Sequence, residues 1–182
     1  MAKFDMKMIL EYAKVFEENA DMGDMNAPAK SAAGSVARKG GQTIVNAYFT
    51  SEEDKNKLIE AGLDLKPLGN DRIIQGNEEY GIGEFMRLKR QIADNVRTFK
   101  NKNAEVEVNF GGLPKIVNLT DPDNKRLWDV ETDGFIGNGS EAIVKFDMYA
   151  DGSGIRLEAI AVTDLVEYET QEQSEYADVW DV

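Results

Sequence analysis

Apolar and polar residues alternate with period two in several short stretches of this chain, and that alternation marks strands. Between Glu141 and Tyr149, the residues Ala142, Val144, Phe146 and Met148 fall on one side of an extended chain. Ile155 to Val166 follows the turn Asp151-Gly152-Ser153-Gly154, so the two stretches read as a hairpin. From Gly83 to Ile92, Phe85, Arg87 and Lys89 point one way and Met86 and Leu88 the other. Glu105 to Phe110 places Val106, Val108 and Phe110 on a common face, and Gly111-Gly112-Leu113-Pro114 turns into a strand near Lys115 to Leu119. Gln42 to Phe49 alternates as well. Met6 to Phe16 is rich in strand-compatible residues at both ends and reads as a strand, with a helix as the competing reading.

Two stretches have helical signals. Thr50-Ser51-Glu52-Glu53 fits a capping box, in which hydroxyl and carboxylate satisfy the first backbone amides of a helix running to about Ala61 and closed by Gly62. Ala29 to Arg38 forms a short helix stopped by Gly40-Gly41, inside a segment, residues 17–41, whose Asn, Asp, Gly, Ala and Ser content predicts a flexible insertion. Six or seven strands with one or two short helices give a mainly antiparallel architecture, a small closed or partly open β-barrel over residues 1–167. Residues 168–182 are polar, acidic and outside the barrel pattern, and are expected to form a disordered tail.

A chain of 182 residues suits one core with appendages. It contains no apolar run of the roughly 18 residues a membrane span needs, and Met1-Ala2-Lys3-Phe4-Asp5 lacks the apolar region of a secretory signal. The expectation is a soluble cytoplasmic protein with no membrane partner. With no Cys and no His, disulfides, thiolate zinc sites, cysteine nucleophiles and imidazole bases are excluded, leaving carboxylate chemistry or none. No cofactor is expected.

The net charge of −13 argues against a polyanionic partner until its distribution is considered. Seven acidic residues and no basic one lie between Asp164 and Val182, so the rest of the chain carries 21 basic against 27 acidic residues. Within Arg87 to Arg126 the balance reverses, with nine basic residues against five acidic. Cations interleaved with aromatics are what a single strand of nucleic acid requires: charge along the phosphates and ring faces under the bases. Tyr80, Phe85, Arg87 and Lys89 supply both, and Arg97, Phe99, Lys100 and Lys102 continue the pattern into an expected loop. Lys115, Lys125, Arg126 and Trp128 lie beyond. The competing reading places the charges on an ordinary solvated face and the aromatics in the core. Asp129-x-Glu131-x-Asp133-Gly134 approaches a calcium loop, but its twelfth place is Ser140 instead of a bidentate Glu, so an acidic connection is favoured and no metal is expected. No acidic spacing is diagnostic of a magnesium nuclease, and no glycine pair leads into a phosphate loop.

The chain ends Glu175-Tyr176-Ala177-Asp178-Val179-Trp180-Asp181-Val182. Acid with Trp180 and Val182 at the tip suits a short motif docking into a basic-rimmed apolar pocket, with Asp178, Trp180, Asp181 and Val182 as its contacts.

Three stretches together resemble a known family: Lys39-Gly40-Gly41-Gln42 through Asn46-Ala47-Tyr48-Phe49-Thr50, Tyr80-Gly81-Ile82-Gly83 leading to Met86-Arg87-Leu88-Lys89-Arg90, and Asp133-Gly134-x-Ile136-Gly137-Asn138-Gly139-Ser140 through Arg156-Leu157-x-Ala159. They look like the single-stranded DNA-binding proteins of T7-like and cyanophage-type tailed phages, over about residues 8 to 168, with Ile-Gly-Asn-Gly-Ser the most specific piece. The Ala/Gly/Ser-rich insertion before Lys39 departs from that pattern. The resemblance implies an OB-fold, a cationic DNA groove, service to phage replication and recombination in the cytoplasm of the infected host, and an acidic tail that engages polymerase and helicase-primase. A homodimer is left open. The resulting expectation is a non-catalytic, sequence-tolerant protein that coats single-stranded DNA. The alternatives are a phage assembly protein with a β-sandwich fold and a magnesium-dependent nuclease.

Overall fold

The computed structural model describes residues 1–168. The tail, including Asp178, Trp180, Asp181 and Val182, lies outside the described residues.

The chain opens with β1 (Ala2–Lys14), where Met6, Met8 and Leu10 turn inward at alternate positions and settle the competition with a helix in favour of a strand. A short helix α1 (Ala32–Arg38) precedes β2 (Gln42–Phe49), and α2 (Glu52–Glu60) follows it. The cap of α2 is Ser51, whose Oγ accepts from the Asp54 amide, and not Thr50, whose hydroxyl donates to the Lys7 carbonyl. Next come β3 (Ile74–Gln75), β4 (Glu84–Gln91), β5 (Val96–Asn101), β6 (Ala104–Asn109), β7 (Lys115–Asn118) and β8 (Arg126–Leu127). After α3 (Val130–Asp133) the chain ends in the expected hairpin, β9 (Ser140–Tyr149) and β10 (Gly154–Asp164).

One eight-stranded sheet runs β3-β4-β2-β1-β9-β10-β7-β8, antiparallel throughout except for β7 beside β10. Its centre, β4-β2-β1-β9-β10, has the strand order of an OB-type barrel, with β4 and β10 meeting to complete the curl. Among the described residues no ladder joins those two strands. The Arg90 guanidinium spans the seam instead, donating to the carbonyls of Gly111 (2.7 Å), Gly112 (2.9 Å) and Leu157 (3.2 Å). Burial lowers its pKa, and nearby Arg156 lowers it further. The core inside the curl joins Met8, Leu10, Val45, Phe49, Met86, Leu88, Phe146 and Leu157, each fully enclosed.

Two features differ from the sequence reading. Of the stretch from Arg97 to Lys102, expected as loop, the residues up to Asn101 pair with β6 as a two-stranded arm separate from the main sheet, and Lys102 lies in the turn. The strands number more than six or seven because β3, β5 and β8 are short or isolated pairings that alternation does not register. Residues 17–41 hold α1, capped by Ser31 through the Gly34 amide, and are fastened to the start of β2 by a bridge between Asp21 and Gln42.

Candidate nucleic-acid interface

Side chains on the outer surface of β1, β2 and β4 are ordered in rows by the strand register. One row is Ile9, Tyr48, Phe85 and Ile74. The next is Glu11, Asn46 and Arg87, and the one after is Lys14, Ile44 and Lys89. The face thus grades from aromatic through polar to cationic along the strand axis. Phe85 to Gln91 covers six residue steps of β4, on the order of 20 Å of extended chain.

The register expected for β4 is the one observed: Arg87 and Lys89 are exposed while Met86 and Leu88 are fully buried. Phe85 shares their face but needs a correction as a stacking residue, because only 5% of it is exposed. Tyr48 (ring centroids 4.9 Å apart) lies against it and β3 pairs alongside, so its ring supports the surface from beneath. The Tyr48 hydroxyl donates to Glu11 (3.1 Å) and accepts from the Asn77 amide (3.0 Å). Burial, followed by the Glu11 charge among the causes that act in the same direction, raises its pKa.

Beyond the Gln42 and Gln91 ends of β2 and β4 lies a cationic hollow of about 210 Å³. Lys39 from the end of α1, Lys89 from β4 and Arg97 from β5 line it, with Phe110 and Tyr149 as aromatic walls. The guanidiniums of Arg97 and Arg156 each sit 4.5 Å from the Phe110 centroid, a cation–π distance. Arg156 is committed: it is buried, ion-paired with buried Asp147 and donates to the Asn109 carbonyl at 2.9 Å. Burial pushes the Asp147 carboxyl up, against the pull of Arg156. Lys14, Lys39, Arg87, Lys89 and Arg97, by contrast, have no carboxylate partner among the described residues.

The expected site residues therefore separate into groups. Lys89 and Arg97 come together at the cationic end, whereas Arg87 stands in the middle row with its guanidinium 6.0 Å from the Phe85 ring centroid. Tyr80 stands at the aromatic end, edge-on to Tyr48 with centroids 5.3 Å apart. Phe99, Lys100 and Lys102 belong to the β5–β6 arm, where Phe99 is half-buried on Phe110 (5.6 Å) and both lysines are exposed. Lys115, Lys125, Arg126 and Trp128 lie at the β7–β8 edge, the other end of the strand order from β4. Two of these are otherwise engaged. Trp128 packs on Phe16 (6.2 Å) and donates its indole N–H to the Gly134 carbonyl at 2.8 Å, so it serves the core. Arg126 grips Asp133 with both terminal nitrogens, one at 2.8 Å, and holds that carboxyl down to about 2. In the acidic stretch read as a connection, Asp129 caps α3 and Asp133 faces Arg126; among the described residues no three acidic side chains converge as metal ligands would.

Sequence reasoning passed over Lys14, Lys39, Phe110, Tyr149 and Tyr12. Lys39 was visible only as the first residue of the Lys-Gly-Gly-Gln stretch. Tyr12 had no signal, since strict alternation would bury it beside Leu10; a bulge between Glu11 and Lys14 turns it outward, leaving it 62% exposed.

No protein-family model and no curated protein sequence matches the chain. Among solved structures it is similar to the single-stranded DNA-binding protein from bacteriophage Enc34, at 9% identity and a TM-score of 0.49, over 98% of this chain and 90% of that one.

Proposed function

We propose that this chain binds single-stranded DNA with little regard to sequence, along the outer face of β1, β2 and β4. The observation that carries this reading is the graded face, in which five cations, without carboxylate partners among the described residues, follow the half-buried Tyr80 at one end and reach the Phe110–Tyr149 walls at the other. Phosphates recruit the cations; ring faces favour bases that are not already paired, which selects single strands over duplex. The protein is then a non-catalytic coat that protects transient single strands during phage replication and recombination, in the cytoplasm of an infected host. The acidic end of the chain acts as a weak tethered competitor for the cationic face. Displaced by DNA, Asp178, Trp180, Asp181 and Val182 become available to polymerase and helicase-primase.

A gel shift, or fluorescence anisotropy of an end-labelled strand, with oligo-dT and with duplex of equal length tests the reading. Binding should favour the single strand and weaken with salt at a log–log slope of about −3.5, as roughly 0.7 counterions are released per neutralised phosphate. Equal affinity for duplex, or no salt dependence, overturns it. Deleting residues 169–182 should raise oligo-dT affinity most at low salt, where screening is weakest, and Trp180→Ala should abolish capture of replication partners with DNA affinity unchanged.

A further inference from the structure

The Ile136-Gly137-Asn138-Gly139-Ser140 segment is the most specific motif in the chain, and the cationic face makes no use of it. In the structure it builds a second cavity, of about 470 Å³, beside the outward-turned end of β1. Gly137 runs directly under the backbone after β10: a Cβ there would sit 2.3 Å from the Val166 carbonyl oxygen, so only glycine fits. Gly139, at φ +94°, donates its amide to the Leu10 carbonyl (2.8 Å), with the Tyr80 ring close above it. Ser140 donates to Gly137 O (2.7 Å) and accepts from the Val166 amide (2.8 Å), locking the floor. Asn138 accepts the Tyr12 amide at 2.8 Å.

That last bond holds Tyr12 at φ +50°, a left-handed conformation in which a bulky non-glycine residue is an outlier. The backbone carries this strain while the ring remains 62% exposed at the cavity wall. Strain that presents an exposed aromatic to a cavity is characteristic of binding sites. Tyr80 and Tyr168 complete the walls. The lining includes one cation, Lys14, which is shared with the cationic row of the face, and one anion, Glu167, so the charges of the cavity lining balance. Burial and the Glu11 and Glu79 charges raise the Tyr80 pKa. A flat, neutral heterocycle matches these walls.

We propose that this tyrosine cavity holds one unstacked nucleobase of the bound strand. The proposal rests on the DNA-binding reading above and specifies where a base is gripped. Its test compares oligo-dT with an all-abasic (tetrahydrofuran) strand of equal length, using wild type, Tyr12→Ala and Tyr12→Gly. Each substitution should weaken oligo-dT binding on the order of tenfold, the loss of one stacked base, with the salt slope unchanged, and should leave the abasic strand bound as by wild type. Tyr12→Gly should at the same time raise the melting temperature, because glycine accepts the left-handed backbone without strain; affinity and stability moving in opposite directions separates a binding role from a folding one. Equal losses on both strands, or wild-type affinity of both variants for oligo-dT, overturns the base pocket while the DNA-binding reading stands. Failure of the wild type to bind oligo-dT removes both.

Discussion

The two ends of the outer face are built from different materials. At the tyrosine end, Tyr12 and Tyr80 line one cavity with Ile136 and Asn138, and Tyr80 lies edge-on to Tyr48, itself packed on Phe85. At the cationic end, Lys39, Lys89 and Arg97 come from three separate elements and meet over Phe110, with no carboxylate to neutralise them among the described residues. The difference teaches that affinity and grip need not share residues. The cationic end responds to ionic strength because it exchanges counterions, whereas the tyrosine end is indifferent to salt because stacking displaces few ions.

The largest expected effect concerns what supports the tyrosine end. Phe85→Ala should lower the unfolding free energy by about 3–5 kcal/mol, as emptying a buried aromatic site does, measured by urea denaturation. A loss below about 1 kcal/mol would mean the ring is a surface group after all, and the division of the aromatics into support and contact would fail. At the other end, the triple variant Lys39→Ala, Lys89→Ala, Arg97→Ala should keep wild-type stability and flatten the salt slope for oligo-dT by about 2, near 0.7 per lost phosphate contact. An unchanged slope would place the phosphates elsewhere.

Combining Arg97→Ala with Tyr12→Gly sharpens the comparison. If the ends act independently, the losses in binding free energy should add to within about 0.5 kcal/mol; a larger coupling in a double-mutant cycle would show the ends to be one site. The smallest effect is reserved for the β7–β8 edge, which belongs to neither end. Arg126→Ala should leave oligo-dT affinity at the wild-type value. Asp133→Asn should lower the melting temperature modestly near pH 6, because the carboxyl held at about 2 contributes stability above its unfolded pKa of roughly 3.9. That contribution is lost as pH falls from about 4 towards 2, so the two melting curves should converge there.

How far the chain could be read in advance depended on whether the deciding interaction was local. Alternation located β2, β4 and the β9–β10 hairpin because each has one face on a common core, and it oriented Arg87 and Lys89 correctly. It missed the burial of Phe85, since the cover comes from Tyr48 and β3, elements with no sequence mark of their own role. Trp128 has the same composition whether it stacks on a base or on Phe16, and only the tertiary fold chooses. Of the β5–β6 arm, Glu105 to Phe110 was legible as a strand, while its partner from Arg97 onward read as loop because its cations and apolar residues interleave without a second neighbour to bury one face. Arg126 looked like a groove cation until Asp133, seven residues on, was found facing it.

The seam between β4 and β10 has a consequence for motion. A ladder opens bond after bond and resists in proportion to its length; the Arg90 fork releases three carbonyls when one side chain swings away. The wall can therefore part at this line in a single small event while the paired strands on either side remain intact. The Gly112 amide, donating to the Ile92 carbonyl at 3.0 Å beside the fork, is the natural reporter: it should exchange with deuterium well before the amides shared by β9 and β10, and Arg90→Lys, which keeps the charge but not the three-way reach, should speed it further.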